Sequence, residues 1–181
     1  MKRLSWIALL LCAGPVSAQV CVPPPDGGGV KSPQQVWDEK YALAQIQLQY
    51  TTGKLAEAKA QLAQTDVAYV IIGGRVNDRL NVMTPAHIQT CLDGLKIAAG
   101  CRSFQSAKVA ECQTQNSNQS KAIAAAVLAN IAGDYAGSLS LLADASYAGE
   151  LSAGAAIHAK GWADAGAEAC AVVWIVVGMY P

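Results

Sequence analysis

The chain has one phenylalanine, two histidines and no excess of either charge, since thirteen Lys and Arg balance thirteen Asp and Glu. With so few large rings and a surplus of alanine, a core has to be made of small side chains, which favours closely packed helices. Without a basic face the chain lacks the electrostatic footprint of a nucleic-acid binder. Paired ligands such as CxxC or HxxxH are missing, which argues against a metal site. Neither GxGxxG nor GxxxxGK[ST] occurs, so Gly73-Gly74 reads as a turn and no nucleotide or other cofactor is expected. GxSxG is also absent, so Ser152, His158 and Asp164, six residues apart in turn, match no nucleophile elbow. The adjacent carboxylates Asp38 and Glu39 read as a solvated helix face, and His87 and His158 sit in no recognisable motif.

What is present begins with a charged n-region, Lys2 and Arg3, then the apolar run Leu4 to Ala13 and the small-residue site Val16-Ser17-Ala18. This is the pattern of an export signal cut after Ala18, and its apolar run of about ten residues is half the length of a membrane span. Cys12 follows Leu11 rather than a small residue, which argues against a lipid anchor. Cleavage removes Lys2 and Arg3 and leaves a mature chain of formal charge −2. The expected compartment is therefore the periplasm or the exterior. Residues 19–31, with "VPPPDGGG", read as an extended arm, because Pro fixes φ and Gly frees it. Residues 32–181 read as a single helical domain, mainly α, stapled by disulfides, with at most a minor strand component.

Ser32, Pro33 and Gln35 form a capping-box start for a helix. From there Tyr41, Leu48, Leu55 and Leu62 recur every seven residues, with Trp37, Ala44, Thr51 and Ala58 four positions before each. This is an a/d seam with one large and one small residue per layer. Packing on the chain's own domain is the preferred reading, because small and polar d residues weaken a free-standing coiled coil. The alternative offers Trp37, Tyr41, Leu48, Leu55 and Leu62 to a partner protein or a second copy. Thr52-Gly53 is a candidate break, and "VAYVIIGG" at 67–74 leans towards strand by its β-branched content.

Thr84 and Pro85 open a second helix that Gly100 closes, and Ser103 starts a third that runs to about Gln113. The spacing predicts an antiparallel αα-hairpin, with "QTQNSNQS" as a loop after it. Five cysteines survive cleavage: Cys21, Cys91, Cys101, Cys112 and Cys170. In an exported chain these are disulfide candidates. Cys91 and Cys112 lie almost symmetrically about the hairpin turn and are expected to form a staple worth about 3 kcal/mol in the chain-entropy account. Cys101 is then left for Cys21 or Cys170, with one thiol over.

Residues 120–181 are rich in Ala and Gly. Gly133, Gly137, Gly149, Gly154, Gly161 and Gly166 suit close helix approach. "YAGSLS" at 135 is echoed by "YAGELS" at 147, a twelve-residue step that places the copies at the starts of two short elements. The uncharged end "CAVVWIVVGMYP" reads as a buried strand or helix.

These features point to an exported binding or structural protein, a subunit or accessory factor of a cell-envelope assembly, and not to an enzyme. A membrane-active protein working through residues 120–181 is the first alternative and a small secreted hydrolase the second. The layout of an export signal followed by the Gln-rich amphipathic helix "QQVWDEKYALAQIQLQY" resembles that of minor pilus components of type IV secretion systems. The resemblance covers about thirty residues of composition and no motif, and no family is assigned from it.

Overall fold

The computed structural model describes residues 31–180. Three helices make up nearly all of this stretch: α1 Pro33–Arg79, α2 Pro85–Ile131 and α3 Tyr135–Gly178. At 47, 47 and 44 residues each is about 65–70 Å long. Two short turns, Leu80 to Thr84 and Ala132 to Asp134, reverse the direction each time, so α2 runs antiparallel to both neighbours and α1 parallels α3.

Local chemistry sets each start. The Ser32 hydroxyl accepts the Gln35 N–H at 3.2 Å while the Gln35 side chain accepts the Ser32 N–H at 2.8 Å, which satisfies two of the free donors of α1. Thr84 accepts the His87 N–H at 3.3 Å, and Asp134 accepts the Gly137 N–H at 2.9 Å. Gly133 takes φ +81°, a left-handed turn that a side chain would resist, and there α2 ends.

Seven-residue repeats of buried residues hold the bundle together. On α2 they are Cys91, Ala98, Gln105, Cys112, Gln119 and Ala126; on α3, Ser138, Ala145, Ser152, Ala159, Gly166 and Val173. The α1 seam faces this core, with Trp37, Ala44, Thr51, Leu55 and Ala58 buried. Small residues bring α2 and α3 very close: a Cβ on Gly94 would meet Val173 Cγ2 at 2.5 Å, and one on Gly166 would meet Cys101 Cβ at 3.3 Å. Gly149 is equally tight, against the Gln119 and Gln47 side chains, whereas Gly154 and Gly161 face open space.

Polar contacts cross between helices at fixed heights. The Trp37 indole N–H donates to the Ser138 hydroxyl, which donates to the Ala126 carbonyl at 2.8 Å, so one relay joins all three helices. Lower down, Thr51 Oγ1 donates to Gln119 Oε1 at 2.7 Å and accepts from Asn116 Nδ2 at 3.0 Å. Ser152 donates to the Cys112 carbonyl at 3.2 Å.

Several expectations are corrected. The hairpin of residues 84–113 is one helix, as is the expected loop at 113–120, because the α2 repeat runs through Gly100 and Ser103 without interruption. Cys91 and Cys112 sit three heptads apart on the same face of α2, about 32 Å along its axis, so the staple cannot form. No disulfide joins the four described cysteines in this structure. Residues 67–72 and 170–178 are helical, and no strand occurs among the described residues. Thr52-Gly53 does not break α1, since Thr51 is fixed to Gln119 on one side and a Cβ on Gly53 would meet nothing on the other. The two echoed segments lie within the single helix α3, where Tyr135 and Tyr147 are both exposed. Residues 1–30, with the export signal, most of the arm and Cys21, lie outside the described residues.

Candidate functional site

The seam residues, for which packing on the chain's own domain is the preferred reading and a partner the alternative, pack on the chain's own helices in this structure. Trp37 is buried and stacks on Tyr41 with ring centroids 4.9 Å apart, and Leu48 joins them against Ile123 and Leu142. Leu55 is buried with Val109, Cys112 and Ala156, and Leu62 packs at the edge of that cluster. In this state the surface left for other molecules lies elsewhere.

Among the described residues neither histidine hydrogen-bonds a Cys, Ser or Asp side chain. His87 Nδ1 lies 2.6 Å from the Tyr180 hydroxyl, and His158 is exposed on α3. Ser152 is fully buried against Cys112, and Asp164 is held by Lys160 at 2.6 Å. Among the described residues no group of three His, Cys, Asp or Glu is placed to share a metal ion. Two open grooves mark the surface, one of about 490 Å³ between α1 and α3 beside Lys40, Leu43, Tyr147 and Glu150, the other of about 470 Å³ between α1 and α2 beside Asp66 and Arg102. Neither is lined by His or Cys.

The remaining feature is one end of the bundle, where the turn after α1 meets the end of α3. Residues 67–74 on α1 and 170–179, the last turns of α3 and its cap, carry apolar side chains around their whole circumference. Their inner faces supply Ile72, Val173, Val176 and Val177 to an apolar cluster with Val76, Met83 and Cys91. Their outer faces leave Val67, Val70 (67% exposed) and Ile71 on α1, and Val172, Trp174, Ile175 (63% exposed) and Met179 on α3. A helix apolar all round is ordinarily buried. Two arginines here are engaged locally: the Arg75 guanidinium lies over the Trp174 ring at 4.7 Å, and Arg79 Nε donates to the Tyr180 carbonyl at 3.0 Å.

Tyr180 fastens this end. Its hydroxyl accepts the Thr84 N–H at 3.2 Å and contacts His87, so the last turn of the chain is tied to the cap of α2. Above it Arg102 pairs with Asp66 and lies over the Tyr69 ring at 5.6 Å, and Phe104 stacks on Trp162 with centroids 4.8 Å apart. Burial pushes the Cys91 thiol above its ordinary pKa; it does the same to Cys170, helped by the neighbouring Cys101 sulfur.

Sequence reasoning missed Tyr180, Gly94, Gln105 and Gln119. The seven-residue repeats starting at Cys91 and Ser138 carried the signal for all but Tyr180 and Gly94, hidden because Ala, Ser, Gly and Gln do not register as an apolar stripe. No family model, no curated protein and no solved structure matches the chain.

Proposed function

We propose that the chain is an exported, non-catalytic subunit of a cell-envelope assembly, and that its apolar end is covered by protein in that assembly. The observation that carries this reading is the doubled apolar character of residues 67–74 and 170–179, whose outer faces are as apolar as the inner faces packed in the core. Exposed large apolar side chains occur elsewhere as well, Leu128 and Ile131 among them, but at this end they sit on two neighbouring helices over one apolar cluster, and such a grouped apolar surface marks an interaction site. The Gly and Ala heptads support a structural role, since they make a slim, long spacer. The export pattern at residues 1–18 supplies the compartment.

A second reading draws on α3 itself, which is long and apolar enough to cross a membrane by length and composition, with 28% of its most apolar 18-residue window buried. Under that reading the same end meets lipid.

The test is the native mass of the exported protein in a gently prepared envelope extract, compared with a Val70→Glu, Trp174→Glu double variant. The expected result is a wild-type species heavier than one chain and a double variant that runs as a folded monomer with unchanged helical circular dichroism. Wild-type protein that runs as a monomer overturns the reading. Flotation of purified wild-type protein with phospholipid vesicles, lost in the double variant, supports the lipid reading instead.

A further inference from the structure

We propose that Cys101 and Cys170 form an intramolecular disulfide that joins α2 to α3 in the exported protein, a proposal that rests on the export reading for its oxidising compartment. The register of the two helices carries it. Position 166 of α3 faces Cys101 so closely that a Cβ there would stand 3.3 Å from Cys101 Cβ. Cys170 lies one helical turn beyond Gly166 on the same side of α3, and both cysteines are buried.

Direction completes the match. In a helix every Cα–Cβ bond tilts towards the helix N-terminus. Cys101 therefore leans towards the start of α2, which lies beside the end of α3, and Cys170 leans back towards Gly166. In an antiparallel pair with this offset the two sulfurs converge. Cys91, the other thiol near Cys170, lies on the far side of it and leans away, towards the end of α3. Cys112 faces Ser152, with the sulfur 3.4 Å from the hydroxyl oxygen, and no other described cysteine lies opposite it. The electrostatic influence of Cys101 on Cys170 fits the same proximity. Glycine at 166 has a role in this arrangement, because it lets the backbones approach closely enough for the Cα separation a disulfide needs, below about 7 Å.

The oxidant is an external disulfide of the envelope, protein-borne or small. One cysteine thiolate attacks a sulfur of that donor and expels the other sulfur as thiolate. The second cysteine then attacks the mixed disulfide, forms the Cys101–Cys170 bond and expels the donor's remaining sulfur. Two chain thiols lose two electrons and two protons, and the donor disulfide becomes a dithiol. Because both cysteines are buried in the closed bundle, the exchange takes place while α2 and α3 are still coming together.

The experiment isolates the full protein from its own cells with thiols trapped by alkylation at lysis, and reads the N-terminus and the non-reducing peptide map together. The expected result is a chain beginning at Gln19, with one peptide pair joined through Cys101 and Cys170 and with Cys91 and Cys112 alkylated only after denaturation. Thermal unfolding should then show a lower midpoint on reduction in wild type and no such change in Cys101→Ser or Cys170→Ser. A processed chain with both thiols free, or with Cys101 bonded to Cys21 or Cys170 to Cys91, overturns the proposal. An unprocessed chain signals failure of the export reading; refolding in a glutathione redox buffer then decides the pairing, and recovery of Cys101 and Cys170 as free thiols overturns it.

Discussion

Tyr180, two residues beyond the end of α3, places its hydroxyl 2.6 Å from His87 Nδ1 and 3.2 Å from the Thr84 backbone nitrogen, at the start of α2. One phenol thus ties the segment after α3 to the turn between α1 and α2. Replacing it by Phe keeps the ring and removes both contacts. Tyr180→Phe should cost about 1 kcal/mol in denaturant unfolding. Amide exchange should speed up at residues 84–88 and 174–180 and stay unchanged around Trp37, at the far end.

Gln105 and Gln119 occupy equivalent positions of the α2 repeat, both fully buried, and differ in what they reach. Gln119 accepts the Thr51 hydroxyl, whereas neither amide atom of Gln105 has a partner. A buried polar group without a hydrogen bond costs roughly 1–3 kcal/mol. Gln105→Leu should therefore raise the thermal midpoint, by about 1 kcal/mol or more in stability. Gln119→Leu should gain less than Gln105→Leu, because it removes the Thr51 bond together with the unpartnered Gln119 Nε2, while Thr51 keeps the Leu48 carbonyl and Asn116.

Gly94 and Gly161 separate close approach from mere helix weakness. A methyl on Gly94 would strike Val173 Cγ2, and a β-branched residue in a helix has little rotamer freedom to move aside. Gly94→Ala should cost about 1–3 kcal/mol, the range for overpacked cores. A methyl on Gly161 meets nothing, so Gly161→Ala should gain close to 1 kcal/mol from helix propensity. Chemical denaturation of the two variants side by side checks both signs.

Burial raises the Cys91 thiol above its ordinary value of 9.0. Below that pH the thiol is protonated in both the folded and the unfolded chain, and its contribution is fully present. As pH climbs past the unfolded value, the unfolded thiol ionises while the folded one holds its proton, so stability falls towards the folded value. Unfolding free energy measured upward from pH 8 should decline, and Cys91→Ala should flatten the decline.

The capped starts at Ser32 and Thr84 and the α1 seam were legible because they rest on local chemistry and on large residues at regular spacing. The middle of α2 was not. Gly100, Ser103 and "QTQNSNQS" carry the marks of turns, yet Asn116 and Gln119 are paid for by Thr51, which lies 65 and 68 residues away. The cysteine spacing misled for the same reason. Steps of ten and eleven suit a hairpin, but they also place Cys91, Cys101 and Cys112 along the core side of one continuous helix, and partners from α1 and α3 decide between the two. The apolar end was visible as two runs in the sequence, and only the parallel course of α1 and α3 brings them together.

The most direct measurement of the central claim is site-specific photocrosslinking in the source cells, with a photoreactive residue at position 174 or 70 of the full chain and at the exposed position 59 as the control. If the apolar end is covered by protein, positions 174 and 70 should each give one discrete, mass-identified protein adduct, either a second copy or a defined envelope component, and position 59 none. Water-quenched probe at 174 and 70, or adducts spread equally over all three positions, would contradict the account.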